Sequence, residues 1–340
     1  MMNANYYDFK NIEVNKNNCF TLLKYVFAFY IVFHHFLVIT SHVDYVNPGI
    51  FVNGFFIISG FLIFNSYIHS NELKLYAQKR IKRIYTPYFI TILFCVILGL
   101  TITSLDYKIY IFSPLTWKYI TSNLLFLNFI QPTLPGVFEN NELPYMDASL
   151  WTLKVEILFY VTVPIVYFLF RYIKINTIII GICLFSILYY IITSLLFNIT
   201  NNAIFYSLSH QIFGMLSYFY IPVFILFNQQ KFKKYYKLLL IISIIIFVLS
   251  YTVSPILAYF EPITLSIIVL SIALYFKKLS FSYKWKDISY EIFLLHFPII
   301  QTLATSSFFQ NNIYIMFVVS IVIILICSFL LHYICKLIFK

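Results

Sequence analysis

Charge is scarce in this sequence: only 10% of its 340 residues are Asp, Glu, Lys or Arg, against about a quarter in soluble domains. Such a chain cannot clothe a globule in water-facing side chains, so an ordinary soluble fold is excluded. Glycine is scarce as well, with 7 residues, and the 11 prolines are scattered. That leaves no long flexible linker, and no unit recurs at the period of about 20 to 50 residues that marks a repeat protein. A single domain over residues 1–340 is expected. The five cysteines (Cys19, Cys95, Cys183, Cys327 and Cys335) are odd in number, lie in or beside apolar runs and have no metal-ligand spacing. They read as free thiols, not as a disulfide framework or a cysteine metal site. The first nineteen residues are polar, so a cleaved signal peptide is not expected. There is no Gly-x-Ser-x-Gly elbow, Walker loop, His-Glu-x-x-His pair or His-x-x-x-x-Asp, and this argues against serine-hydrolase, nucleotide-hydrolase, zinc-protease and glycerolipid-acyltransferase chemistry.

What is present is apolar and aromatic, 61% and 21% of the chain respectively. Runs long enough to cross a bilayer, about 17 to 25 residues each, fall near 20–40, 50–69, 85–105, 150–170, 175–197, 203–227, 238–256, 259–276, 287–308 and 312–335. This predicts an all-α polytopic membrane helix bundle of about ten transmembrane helices. The net charge of +11 does not gather into a nucleic-acid patch but into short clusters between the runs. Of the 23 basic residues, 19 fall in alternate connections, among them Lys10, Lys16, Lys79, Arg80, Lys82, Arg83, Lys277, Lys284 and Lys340. By the positive-inside rule those connections and both termini are cytoplasmic, in the inner membrane of the cell. The opposite connections hold only Lys108 and Lys118, while Lys24 and Lys154 lie within spans. The one long connection, about 105–149, is therefore outside and carries Asp106, Glu139, Glu142 and Asp147. A connection of that length suggests function. Its apolar stretch from Tyr119 to Ile130 reads either as a dip into the outer leaflet or as an amphipathic cover.

A charge within a span costs a few kcal/mol, so each one is a candidate site. Lys24 and His35 are eleven residues apart, about 20° from a common stripe and ~16 Å apart along a helix axis. Either that stripe joins a cytoplasmic ligand to an outer chemical centre, or Lys24 snorkels and His35 is an interior histidine held by hydrogen bonds. In the fourth run Glu156 shares a stripe with Thr152 and Tyr160 and points away from Lys154, so it needs a buried partner. Trp151 stands at aromatic-belt level. In the ninth run His296 falls near mid-membrane, with Ser289 on nearly the same face and Pro298 freeing a backbone carbonyl. A transporter or flippase for a lipid-linked sugar or small solute would use the same rare polar residues.

Five segments carry a resemblance: Leu22-Leu23-Lys24 with His34-His35; Asn53-Gly54-Phe55-Phe56-Ile57-Ile58-Ser59-Gly60; Lys79-Arg80-Ile81-Lys82-Arg83 through Tyr88; Leu150-Trp151-Thr152-Leu153-Lys154-Val155-Glu156; and Ile288-Ser289-Tyr290 through His296. In this order and spacing they resemble the membrane acyltransferase-3 family, whose members O-acylate sugars of surface glycans. Two positions depart from the family's pattern: Lys24 stands where arginine is usual, and Thr21 where aspartate is common. Lysine keeps the charge but loses the planar two-pronged grip on an anion. The resemblance implies no bound cofactor and an acyl-CoA co-substrate, acetyl-CoA being the expected one, which Lys24, Arg80 and Arg83 hold by its phosphates. It implies His35 as general base, with Glu156 either orienting His35 or binding the acceptor. His34, Asn53, Ser59, Trp151, Tyr290 and His296 would line the cavity or meet the acceptor, a glycan or lipid-linked sugar. Some members continue into a soluble esterase-like domain, which is not expected here. The partners implied are acceptor, acyl-CoA and membrane lipid, with no nucleic acid.

Overall fold

The computed structural model describes residues 17–42, 47–70, 72–276, 278–279 and 285–338. Lys10, Lys16, Lys277, Lys284 and Lys340 of the charge tally lie outside the described residues. The helices in the first part of the chain are α1 (Phe20–Ile39), α2 (Gly49–Ser70), α3 (Leu73–Arg80), α4 (Thr86–Ile102), α5 (Tyr107–Phe112), α6 (Pro114–Leu124) and α7 (Trp151–Leu169). After them come α8 (Ile175–Thr200), α9 (Ala203–Ser209), α10 (Ile212–Phe227), α11 (Gln229–Thr252), α12 (Glu261–Tyr275), α13 (Ser289–Ala304), α14 (Ser307–Asn311) and α15 (Ile313–Ile338). No strand occurs among the described residues, so the protein is an all-α polytopic bundle. In hydrocarbon a helix is the open-chain form that satisfies its own backbone N–H and C=O groups, and the apolar runs obey that constraint.

Nine helical stretches among the described residues are long and apolar enough to cross a bilayer. The expected ninth span differs: it is α13, with 16 residues, of which 13 are buried. At 1.5 Å per residue it covers ~24 Å, short of a hydrocarbon core of about 30 Å. A helix sheathed by protein has no need to match the lipid thickness, and this explains the shortfall.

Packing divides the chain into two units, each assembled from separated segments. The first is formed by the described residues of Met1–Lys24, Gly49–Tyr76 and Val155–Trp285, the second by Tyr25–Pro48, Ala77–Lys154 and Lys286–Lys340. In the first unit α10 is the buried centre and packs on α2, α8 and α12. Gly60 makes the α2–α10 contact possible, because a Cβ there would collide with the backbone of Phe219. On α8, Ile180, Leu184, Leu188 and Ile192 are exposed at a four-residue spacing and form a lipid-facing stripe.

In the second unit α13 is the buried centre and packs on α4 and α15. The connection after α4 is folded rather than loose. Tyr119–Ile130 comprises the end of α6, a turn and a short 3₁₀ stretch, Asn128–Ile130. Tyr119 is buried while Leu125 and Phe129 are exposed, so the stretch packs on one side and presents apolar side chains on the other. The Tyr88 hydroxyl anchors it to α4 by donating to the Asn123 carbonyl at 2.7 Å.

Candidate active site

The second unit brings two of the sequence candidates into direct contact. His35 on α1 and His296 on α13 meet through Nδ1 of His35 and Nε2 of His296 at 2.7 Å. Nδ1 of His296 lies 2.7 Å from the Phe293 carbonyl, one turn back on its own helix. A carbonyl can only accept, so Nδ1 of His296 carries a hydrogen. His296 is 0% exposed, and a buried imidazole with no carboxylate partner among the described residues is held neutral. Its Nε2 then has a lone pair, and His35 must donate from Nδ1. The consequence passes along the chain: Nε2 of His35 is left as the unprotonated nitrogen. His35 is less buried than His296. Phe297 packs edge-on against His35 at 5.1 Å, and the His34 ring lies 5.2 Å away.

A second set of contacts ties the start of α13 to the turn between α3 and α4. Ile81–Tyr85 is π-helical, with the Thr86 N–H donating to the Ile81 carbonyl. Single π turns of this kind are frequent at functional sites. Arg83 donates to Asp287 at 2.7 Å, and the Ser289 hydroxyl donates to the other Asp287 oxygen at 2.7 Å. The Tyr290 hydroxyl donates to the Ile84 carbonyl at 3.2 Å. The Arg83 side chain is 56% exposed and Arg80 ends α3.

At the far end of α13, Gln301 is 0% exposed. Its amide donates to the carbonyls of Leu143 and Tyr145, and Asn141 donates to its Oε1 at 2.7 Å. The long connection is thereby clamped to α13 five residues beyond His296.

Of the remaining candidates, Glu156, Ser59, Asn53 and Lys24 belong to the first unit and Trp151 and Lys154 to the second. Glu156 is half-buried, and its Oε1 accepts from Ser59 at 2.8 Å and from the Tyr160 hydroxyl. This is the buried partner that its stripe required. Asn53 donates instead to Glu261 at 3.2 Å. Lys24 is half-buried on α1, eleven residues before His35. Trp151 is 40% exposed at the start of α7. Lys154 lies over the Phe129 ring, 4.8 Å from its centroid. No group of acidic, histidine and cysteine side chains among the described residues is arranged to hold a metal.

Gln301, Asp287 and Glu261 were not singled out from sequence. Glu261 carried a readable signal as an acidic residue opening an apolar run; the other two acquire meaning only from partners far away in the chain.

Residues 17–334 match the family model described as "Acyltransferase domain". The chain belongs to the membrane acyltransferase-3 family. No curated protein and no solved structure matches it. The acyltransferase match covers both packing units, and all five sequence segments that carried the resemblance lie within it. As an acyltransferase with nine candidate spans among its described residues, it is a multi-pass membrane protein. In this acyltransferase the paired imidazoles of His35 and His296 are the strongest candidate for proton-transfer machinery.

Proposed function

We propose that this acyltransferase moves an acetyl group from acetyl-CoA to a hydroxyl of a surface or exported glycan, at the inner membrane. The observation that carries the reading is the directed hydrogen-bond chain from His35 through His296 to the Phe293 carbonyl, because it fixes a lone pair on Nε2 of His35. That nitrogen takes the proton from the sugar hydroxyl as its oxygen attacks the thioester carbonyl. The C–O bond forms, the tetrahedral intermediate collapses with loss of the C–S bond, and the proton returns from His35 to the departing thiolate. The products are the O-acetyl sugar and free CoA thiol. A positioned base of this kind contributes about 10²- to 10⁴-fold. While His35 is protonated, its Nδ1–H bond to His296 becomes charge-assisted and strengthens, stabilising the imidazolium.

Lys24, Arg80 and Arg83 are assigned to the phosphates of the donor. Arg83 is exposed enough to exchange Asp287 for a phosphate at little cost, since exposed ion pairs contribute about 0 to 1 kcal/mol. Glu156, held by Ser59 and Tyr160, is assigned to the acceptor.

The test is mass spectrometry of purified surface glycan from cells with and without the protein. One acetyl group adds about 42 Da by its atomic composition, and that increment should vanish on deletion and in His35→Ala at unchanged protein level. Full acetylation in His35→Ala would remove His35 from the mechanism, and an unchanged glycan on deletion would remove the glycan as acceptor.

A further inference from the structure

A second polar centre lies wholly within the first unit, built around Glu261. This carboxylate opens α12 and is half-buried. Its Oε1 accepts from Asn53 at 3.2 Å and from the Tyr218 hydroxyl at 2.9 Å, and its Oε2 accepts from the Tyr251 hydroxyl at 3.2 Å. All three donors are neutral. A carboxylate offers about four lone-pair positions, so two are taken on Oε1 and one on Oε2. Among the described residues no further donor fills the second position on Oε2, beside Tyr251, which is 51% exposed.

Tyr218 and Tyr251 bring their own rings to the carboxylate, and the same unit holds a further run of ring contacts. Tyr190 packs edge-on against His210 at 6.3 Å and against Tyr259 at 6.2 Å, and Tyr206 lies 4.5 Å from His210. Tyr206 is 54% exposed. Chain direction and the alternation of basic loops put the ends of α8 and α11 and the starts of α2, α9 and α12 on the outer side. A half-exposed carboxylate at that level is costly against lipid, whereas tyrosines are favoured there. Together they suit a ligand with an apolar C–H face for the rings and hydroxyls for the carboxylate.

We infer that the Glu261 cluster binds a sugar ring of the acceptor, with one sugar hydroxyl donating to the open position on Oε2 and the ring lying against the exposed Tyr251. The inference rests on the glycan O-acetylation reading and adds to it a recognition site that contains neither His35 nor Glu156.

The test uses the full-length protein in nanodiscs, with acetyl-CoA and surface glycan stripped of its acyl groups by mild alkali as acceptor. Glu261→Gln is expected to raise the acceptor KM about tenfold, the scale of one lost bond to a charged group, and Tyr251→Phe about threefold. The acetyl-CoA KM and the slow hydrolysis of acetyl-CoA without acceptor should not change in either variant. If Glu261→Gln does not fold, Tyr251→Phe decides, because it removes only a hydroxyl from an exposed ring. An acceptor KM unchanged in the folded variants, with acetyl transfer intact, overturns this inference alone. A wild-type protein that never acetylates the glycan overturns the proposed function with it. Thermal stabilisation by choline but not by the glycan, lost in Glu261→Gln, would assign the cluster to an organic cation and overturn the sugar.

Discussion

Asp147 gives the fold a pH dependence of calculable sign. It precedes α7, where its Oδ1 accepts from the Ser149 N–H at 2.9 Å and from the Ser149 hydroxyl at 2.6 Å. Its Oδ2 is buried and has no hydrogen-bond partner among the described residues. Burial pushes the carboxyl up from its ordinary 3.8 to about 7, against the lowering effect of the two Ser149 bonds. The folded value lies above the unfolded one. Between pH ~4 and ~7 the native protein therefore holds a proton that the unfolded chain has released, and stability falls as pH rises across that window. Below it both states are protonated and above it both are ionised, so the dependence flattens at each end. A gap of about three pH units at about 1.4 kcal/mol per unit gives about 4 kcal/mol across the window. Asp147→Asn keeps the Oδ1 acceptor for Ser149 and deletes the ionisation. Thermal unfolding in detergent, followed from pH 5 to 7.5, should show the variant losing less stability than the wild type as pH rises. Every other ionisable group is common to both proteins, so the difference between the curves isolates Asp147. Parallel curves would refute the assignment of an unpartnered, buried carboxyl.

Further outcomes follow from the same contacts. His296→Phe removes the acceptor that orients His35, so transfer should fall by about 10²- to 10⁴-fold at near-normal acetyl-CoA affinity; initial rates over a range of donor concentration check this. Gln301→Ala strips donors from the Leu143 and Tyr145 carbonyls, at about 1 to 3 kcal/mol for each group left unsatisfied, and limited proteolysis should then cut the 105–149 connection first. Gly60→Val places a branched side chain against the Phe219 backbone. It should destabilise by at least the 1 to 3 kcal/mol typical of overpacking, seen as a lower melting temperature and reduced yield.

Much of this architecture could be read directly along the chain. Insertion into lipid depends on the local average of hydropathy, and orientation depends on which connections hold Lys and Arg. Both are one-dimensional properties, so the expected run at 20–40 matches Phe20–Ile39 and that at 175–197 matches Ile175–Thr200 within a few residues. α13 departs because its sheath is protein, which hydropathy cannot distinguish from lipid. Glu156 with Tyr160 was legible for a related reason: the two are four residues apart, so helix geometry alone puts them on one face.

The sequence by itself determined that the protein lives in a membrane, which stretches are helical, and which few polar side chains needed a reason to be there. Only the tertiary structure decided the partners. His35 meets His296 across 261 residues and Asn53 meets Glu261 across 208. Side-chain chemistry states that a buried polar group must be matched, but a helix specifies its own face and not the helix that will cover it. The protonation pattern that leaves a lone pair on Nε2 of His35 depends on the crossing of α1 with α13, and no local property of either helix contains it.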